Sequence, residues 1–416
     1  MSQTRSFYWH DYETWGAEPA VDRAAQFAGL RTDLDFNPLG EPLVVYARPA
    51  DDFLPHPEAC MITGITPQLA RERGAPEADF FRFIHEELMR PGTCALGYNS
   101  LRFDDEVTRY GLYRNFFDPY EREWKNGNSR WDMIDVVRLT RALRPQGIQW
   151  PEKEPGVTSF RLEELTAAND IEHAGAHDAL ADVRATIALA RLVRERQPRL
   201  FDFVFNNRDK HRLATQLNVR TTSPVLHVSS RYPARLGCIA AVLPLAMHPV
   251  NRNGVIVYDL RADPQPLLTM SAEDIRTRLY TATADLPEGA ERIPLKVVHL
   301  NRAPVIVPMG TLTDAAREQW QMDESVEQRH LQALRAAPAL ADKLAAVFAE
   351  GQQFPAQSDP DRDLYGGFLS DADRRRCDLV RRTPMDQLGQ LNPGFEAAKL
   401  DELLFRYRAR NWPETL

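Results

Sequence analysis

The spacing of hydrophobic and polar positions changes along the chain, and those changes divide it. Three short runs come first: SFYWHDYET (6–14), QFAGLRTD (26–33) and PLVVYARP (42–49). Each is rich in aromatic or branched residues that suit a pleated surface, so together they predict a β-meander. After the loop ITGITP, Thr66 and Pro67 fit an N-cap and first helical turn, and residues 67–90 read as helical. TCALGYN (93–99) reads as a buried strand. The segments FDDEVTRYGLYRNFF (103–117), WDMIDVVRLTRAL (131–143), FRLEELTAAN (160–169) and HDALADVRATIALARLVRER (177–196) carry apolar residues at helical spacing. This part is therefore expected to be a mixed α/β domain ending near Pro198. Inside it, RPQGIQWPEKEPGVTS (144–159) holds too much proline and glycine for a helix and predicts an exposed loop.

From about 199 to 310 the pattern shifts to short β-type runs, PVLHVSS, CIAAVLPLAMH, GVIVYDL, PLKVVHLN and PVIVP, separated by turns. They predict a β-rich second domain. Residues 312–350 are rich in Ala, Leu and Glu and predict helices, GQQFPAQSDPDRD breaks the pattern as a linker, and the remainder reads as a few arginine-rich helices. The boundaries expected are 1–198, 199–350 and 351–416, and a chain of 416 residues is indeed too long for one small core.

Composition narrows the class. Hydrophobic residues at 43% and charged residues at 26% are ordinary for a chain that folds without a partner. Cys60, Cys94, Cys238 and Cys377 lie far apart with no C-x-x-C, against both a zinc cluster and a disulfide framework, and read as reduced thiols of a cytoplasmic protein. The N-terminus lacks the apolar core of a signal peptide, and no segment nears the roughly 18 apolar residues of a membrane span, so neither export nor anchoring is expected. A net charge of −8 excludes an all-over basic surface but leaves room for a basic groove.

Three motifs carry candidate chemistry. Asp11 and Glu13, two apart on the first strand, put their carboxylates on one face, where they repel unless a cation lies between them. Magnesium, which takes carboxylate oxygens and phosphate together, suits that pair and points to phosphoryl-transfer chemistry. An isolated D-x-E is more often a solvated strand end. In HDALADVRA, His177 and Asp182 are roughly 140° apart on a regular helix, but both reach one site if His177 sits in the loop before the first turn. The alternative is an ordinary helix start whose Asp178 favours the dipole. Asp104, in GYNSLRFDDE, stands after an apolar strand at a helix start, where Asp104 and Asp105 also pass as N-terminal acids.

The order of these motifs resembles the four-acidic-residue, histidine-containing 3′ to 5′ exonuclease superfamily. More closely, the chain resembles the bacterial exonuclease I family, through HDYETWG, PAVDRAAQFAGLRTD, ITGITPQ, GYNSLRFDDEVTR, YRNFFDPY, NSRWDMIDVVR, SFRLEELT, AHDALADV, RQPRLFD, HPVNRN and LLFRYRARN. That resemblance implies an α/β ribonuclease H-like exonuclease domain with a mixed sheet, then an SH3-like β-rich domain and a C-terminal helical domain. It implies metal-binding carboxylates at Asp11, Glu13, Asp104 and Asp182, a general base at His177, and two Mg2+ ions with Mn2+ as a substitute. Glu13 and Arg161 would meet the terminal nucleotide.

A single strand needs aromatic faces for bases and cations for phosphates. Tyr113, Tyr120 and Trp124 interleave with Arg114, Arg122 and Arg130, although aromatics at helical spacing serve equally as core. By resemblance the strand contacts are Arg109, Tyr120, Trp124, Arg138, Lys210, Arg252 and Asn253. The resemblance also implies a monomer that clamps single-stranded DNA, degrades it processively in DNA repair and recombination, and docks the acidic tail of the single-stranded-DNA-binding protein. The chain stops at RNWPETL, where the family typically continues into a further basic helix. Two rivals stay open: a ribonuclease or oligoribonuclease of the same superfamily, and a non-catalytic strand-binding module.

Overall fold

The computed structural model describes residues 5–173, 175, 178–349 and 357–416. Two compact units are found: Met1–Met133, Asp170–Arg191 and Pro355–Leu416 form one, and Ile134–Asn169 with Leu192–Phe354 the other.

Strand β1 (Ser6–Thr14) is the centre of the first unit. Phe7, Tyr8, Trp9 and Tyr12 are all buried, so both faces of the strand are covered and its pattern is nearly continuous rather than alternating. It pairs antiparallel with β2 (Ala24–Thr32), which pairs antiparallel with β3 (Leu43–Tyr46). Two short helices follow. One, α1 (Pro57–Thr63), starts on a proline and ends at Gly64 in the left-handed region, signals that the sequence reading passed over. The other, α2 (Pro67–Arg73), is capped by Thr66, whose hydroxyl accepts from Leu69 N, as expected. The helix predicted over 67–90 is in fact two. The backbone turns extended at Gly74, where a Cβ would lie 2.3 Å from the Ala70 carbonyl oxygen so that only glycine fits, and α3 (Glu77–Leu88) starts anew after Pro76.

Strand β4 (Thr93–Gly97) joins the other edge of β1 in parallel, and α4 (Asp104–Arg114) follows. Helices α3 and α4 approach closely, since a Cβ on Gly111 would sit 1.9 Å from the Phe81 ring. Phe80, Phe81, Ile84 and Leu88 pack with Tyr8, Phe27 and Leu112 to form the core beneath β1. Residues 131 and 132 were expected in a helix but close strand β5 (Ser129–Asp132), parallel to β4, and α5 (Met133–Leu143) starts only after it. The sheet order β3-β2-β1-β4-β5 is the mixed sheet of the expected exonuclease domain. The segment read as a loop holds a small hairpin, β6 (Glu152–Glu154) and β7 (Val157–Thr158), before α6 (Leu162–Ala168). Helix α7 (Ala179–Arg196) completes this stretch, its start two residues later than the periodicity suggested.

Beyond Pro198 the chain first forms α8 (Pro198–Asn207) and α9 (Lys210–Gln216), where β-type structure was expected to begin. Their apolar positions, Leu200, Phe201, Val204 and Leu213, are the buried ones. The β-rich region then appears as β8 (Val225–Val228), β9 (Ile239–Met247), β10 (Gly254–Asp259), β11 (Leu295–His299) and β12 (Ile306–Pro308), an antiparallel sheet of order β11-β10-β9-β8-β12. Pro244 lies inside β9, and the register shifts where it pairs with Val257, a bulge at the residue that lacks an N–H to donate. Between β10 and β11 run α10 (Gln265–Thr269) and α11 (Ala272–Tyr280), and α12 (Asp314–Gln319), α13 (Glu324–Arg335) and α14 (Leu340–Phe348) follow the sheet. Leu331, Leu344, Val347 and Phe348 pack with Leu243, Ile256 and Tyr258 in one core cluster.

The last segment, with α15 (Asp371–Arg382) and α16 (Lys399–Asn411), is built into the first unit. Leu403, Leu404 and Tyr407 pack with Tyr110, Tyr113 and Phe116. Nearby in the chain, Arg410 meets Asp361 at 2.9 Å and Asp52 at 3.2 Å, Arg114 meets Glu77 at 3.3 Å, and the Asn411 side-chain Oδ1 accepts from Ala78 N at 2.9 Å. Burial alone would raise the Glu77 carboxyl, but Arg23, Arg114 and Arg410 outweigh it and hold the group below its usual range. No helix of the described residues is long and apolar enough to cross a membrane.

Candidate active site

The period-two geometry of β1 does what the sequence suggested. One carboxylate oxygen from each of Asp11, Glu13 and Asp182 lies within 4.8 Å of the others. Asp182 reaches them from the first turn of α7, whose start is fixed by Asp178: its Oδ1 accepts from Ala181 N at 3.1 Å. Asp104, on the first turn of α4, accepts from Tyr12 N at 3.2 Å, the peptide between Asp11 and Glu13. A hydroxyl pair, Tyr12 Oη and Thr108 Oγ1 at 2.9 Å, ties the same two elements together one turn further on. Four carboxylates from three elements are thus set around β1.

Electrostatically, Asp11, Glu13 and Asp104 are in an unfavourable state. Burial pushes the Asp11 carboxyl well up, and Asp104, Asp182, Glu13 and Asp178 push it further. Glu13 is raised to about 8, by burial first and then by Asp182 and Asp178. Asp104 is raised as well, by burial, with Asp105 and Asp132 adding to it, against the Tyr12 N–H that favours the charged form. A divalent cation reverses that balance, because it compensates several carboxylates at once and favours their ionised forms. All the donors are hard oxygens, the set that Mg2+ and Mn2+ prefer, so the residues fit such ions.

Other residues carry the site that the sequence reading did not single out. His173 Nε2 lies 2.5 Å from Asp182 Oδ1, while His177, the expected base, falls outside the described residues. The one available signal was a second histidine in EHAGAH, ahead of the same helix. Asp132, at the end of β5, accepts from Asn99 N at 2.8 Å and Leu101 N at 3.1 Å, which shapes the loop leading to Asp104. Asp105 turns inward, 2.5 Å from Arg122 and also paired with Arg130. Its burial would raise it, but Arg122, Arg130 and Arg109 hold it far below the usual carboxylate range.

The expected strand contacts have diverse surroundings. Arg109 is buried, pairs with Glu106 at 2.6 Å and Glu123 at 2.8 Å, and stacks 5.5 Å over the Tyr120 ring. Tyr120 is half-buried against Phe368, and Trp124 is 65% exposed. In the second unit Arg138 is buried, 2.6 Å from Asp135 and 5.6 Å over the Phe160 ring. Arg161 precedes α6 with its side chain 73% exposed. Lys210 is the exposed first residue of α9, and Arg252 and half-buried Asn253 form the turn before β10.

Comparison with known proteins gives the family. The Exonuclease family matches residues 8–190, the Exonuclease I SH3-like domain residues 208–350, and the Exonuclease I C-terminal domain residues 358–416. Exodeoxyribonuclease I of Escherichia coli K12 is 50% identical over 414 residues, covering 100% of this chain and 87% of the relative. The chain belongs to the exonuclease I family. It is accordingly an exodeoxyribonuclease, with the exonuclease, SH3-like and C-terminal parts of that family. Among solved structures, exonuclease I from Methylocaldum szegediense is 57% identical with a TM-score of 0.94, covering 99% of this chain and 86% of the other. A zinc-ion-bound complex of E. coli exonuclease I with single-stranded DNA is 49% identical with a TM-score of 0.95, covering 100% and 88%. A structure of SSB and exonuclease I with the inhibitor CFAM is 48% identical with a TM-score of 0.91, covering 100% and 88%.

Proposed function

We propose that the protein degrades single-stranded DNA from its 3′ end, processively, and releases 5′-mononucleotides in DNA repair and recombination. The observation that carries this reading is the convergence of Asp11, Glu13 and Asp182 within 4.8 Å, with Asp104 bonded to the backbone between the first two. Asp11, Glu13, Asp104 and Asp182 would hold two Mg2+ ions, or Mn2+ in their place. Bound there, such ions lower the pKa of water and neutralise charge developing on the scissile phosphate. His177 takes the proton of the attacking water, and Arg161 clamps a phosphate oxygen of the terminal nucleotide, beside Glu13.

Arg109, Tyr120, Trp124, Arg138, Lys210, Arg252 and Asn253 are the strand contacts of this reading. The segments 1–198, 199–350 and 351–416 supply catalysis, strand grip and closure in a monomer that works in the cytoplasm. DNA as substrate is supported by the SH3-like and C-terminal matches, and by the bound strand in the E. coli relative. The acidic tail of the single-stranded-DNA-binding protein is the partner proposed, on the strength of the related SSB complex.

The test uses oligonucleotides labelled at either end, as DNA and as RNA, with Mg2+. Release of mononucleotides from the 3′ end of DNA, with RNA degraded far more slowly, is the result expected. Equal or faster loss of RNA would replace this reading with a ribonuclease. Binding without degradation would leave only a strand-binding module. A trap for free enzyme, added after the start, should leave running molecules to finish their strands.

A further inference from the structure

The first backbone N–H groups of any helix have no partner inside it. At the start of α7 two side chains take them: Asp178 bonds Ala181 N, and Gln26 Oε1 accepts from Ala179 N at 3.1 Å. The same Gln26 amide turns its nitrogen to Asp178 Oδ2, at 3.3 Å. Flipping the amide would set its oxygen against a carboxylate and its NH2 against an N–H, so the chemistry of the two partners fixes the orientation. Gln26 is 1% exposed and stands opposite Glu13 on the neighbouring strand, beside the point where the β1–β2 register shifts. Paired residues on antiparallel strands share a face. One uncharged side chain thus joins the ladder that carries Asp11 and Glu13 to the end of the helix that carries Asp182.

We propose that Gln26 is a positioning residue for the carboxylate site: its amide clamps the start of α7 to the β1–β2 ladder and so holds Asp182 within reach of the same cation as Asp11 and Glu13. The inference rests on the metal reading above. The position demands an acceptor and a donor in one neutral side chain of this length. Glutamate keeps the acceptor but sets a charge against Asp178 and, across the ladder, Glu13. Methionine has neither group, and asparagine is one methylene short.

Three variants test it: Gln26→Glu, Gln26→Met, and Gln26→Glu combined with Asp178→Asn. The last exchanges donor and acceptor across the contact at constant net charge and keeps a good helix cap at 178. Mn2+ binding to the DNA-free protein is read by electron paramagnetic resonance, and the clamp itself by amide hydrogen exchange in the first turn of α7. Both single variants should bind Mn2+ about tenfold or more weakly, the range typical of partners that orient metal ligands, and should exchange faster at Ala179. The double variant should return to within about threefold of the unmodified protein, since the pair is coupled. Should Gln26→Glu not fold, Gln26→Met and the double variant carry the test. Unchanged Mn2+ affinity in the single variants, unchanged exchange at Ala179, or a double variant no better than Gln26→Glu would overturn the proposal. If the unmodified protein binds no Mn2+, the metal reading fails, and exchange at Ala179 still decides whether Gln26 clamps the helix.

Discussion

Asp104 and Asp105 are neighbours in sequence, 4% and 2% exposed, and lie on the first turn of the same helix, yet their surroundings are opposite. Asp104 faces the carboxylate site around β1, and its carboxyl is raised by burial and by Asp105 and Asp132. Asp105 faces a pocket filled by Arg122, Arg130 and Arg109, and is held far below its usual range. The difference separates two uses of a buried acid. One is compensated inside the protein and holds structure; the other has no such cationic partner in its electrostatics, and in the function proposed above a cation from outside would compensate it.

The largest effect should come from breaking the first half of that comparison. Asp104→Asn keeps the shape and removes a charge, so mononucleotide release should fall about a thousandfold or more. Strand binding should persist, and the melting temperature should hold or rise because a like-charge repulsion is relieved. A large loss of stability would mean that Asp104 is structural after all. Asp105→Asn should do the reverse, leaving buried arginines short of a partner at a cost of about 3–5 kcal/mol. Denaturant unfolding measures it, and a stability loss under about 1 kcal/mol would refute the assignment.

A smaller effect sharpens the same contrast among the strand contacts. Arg109 is already engaged by Glu106 and Glu123, whereas Trp124 is exposed. Trp124→Ala should therefore cost about 1–3 kcal/mol of affinity for single-stranded DNA, the worth of one stacked base, and leave thermal stability unchanged. Titration with a fluorescent oligonucleotide decides it, and unaltered affinity would remove Trp124 from the grip.

The shallowest effect is a pH slope, at most about 1.4 kcal/mol per pH unit for one proton. Glu13 rises from an ordinary 4.5 to about 8 through burial and through Asp182 and Asp178. Between those values the folded protein keeps a proton that the unfolded chain has released, so stability falls as pH rises through that window and levels off above it. Melting of metal-free protein in chelator should follow that decline, and added Mg2+ should flatten it. A rise across the same window would contradict the sign.

Much of this was legible from residues alone, and the exceptions have physical causes. Strand β1 declared itself over its full length, and the period-two spacing of Asp11 and Glu13 put their carboxylates on one side, where Asp182 also lies. Strand β5 was hidden because four residues are too few to display alternation and the helical pattern of α5 runs into them. Helices α8 and α9 were absorbed into the β-rich region that follows, since segments of ten and seven residues with one apolar stripe resemble short buried strands. Apart from His173, which lies nine positions from Asp182, the parts of the site that escaped are defined by contact across the fold. Asp105 takes its two side-chain hydrogen bonds from arginines 17 and 25 positions away, and Gln26 meets Asp178 across 152 positions. No local pattern reports such pairings.

The most direct test of the central claim is anomalous diffraction from crystals of the protein soaked in Mn2+ and collected at the manganese edge. Peaks bonded to oxygens of Asp11, Glu13, Asp104 and Asp182 are expected, lost in the Asp104→Asn crystal or much reduced there. A map with no peak among these four carboxylates, at Mn2+ concentrations that support turnover in solution, would contradict the claim that they are the acids left for a cation.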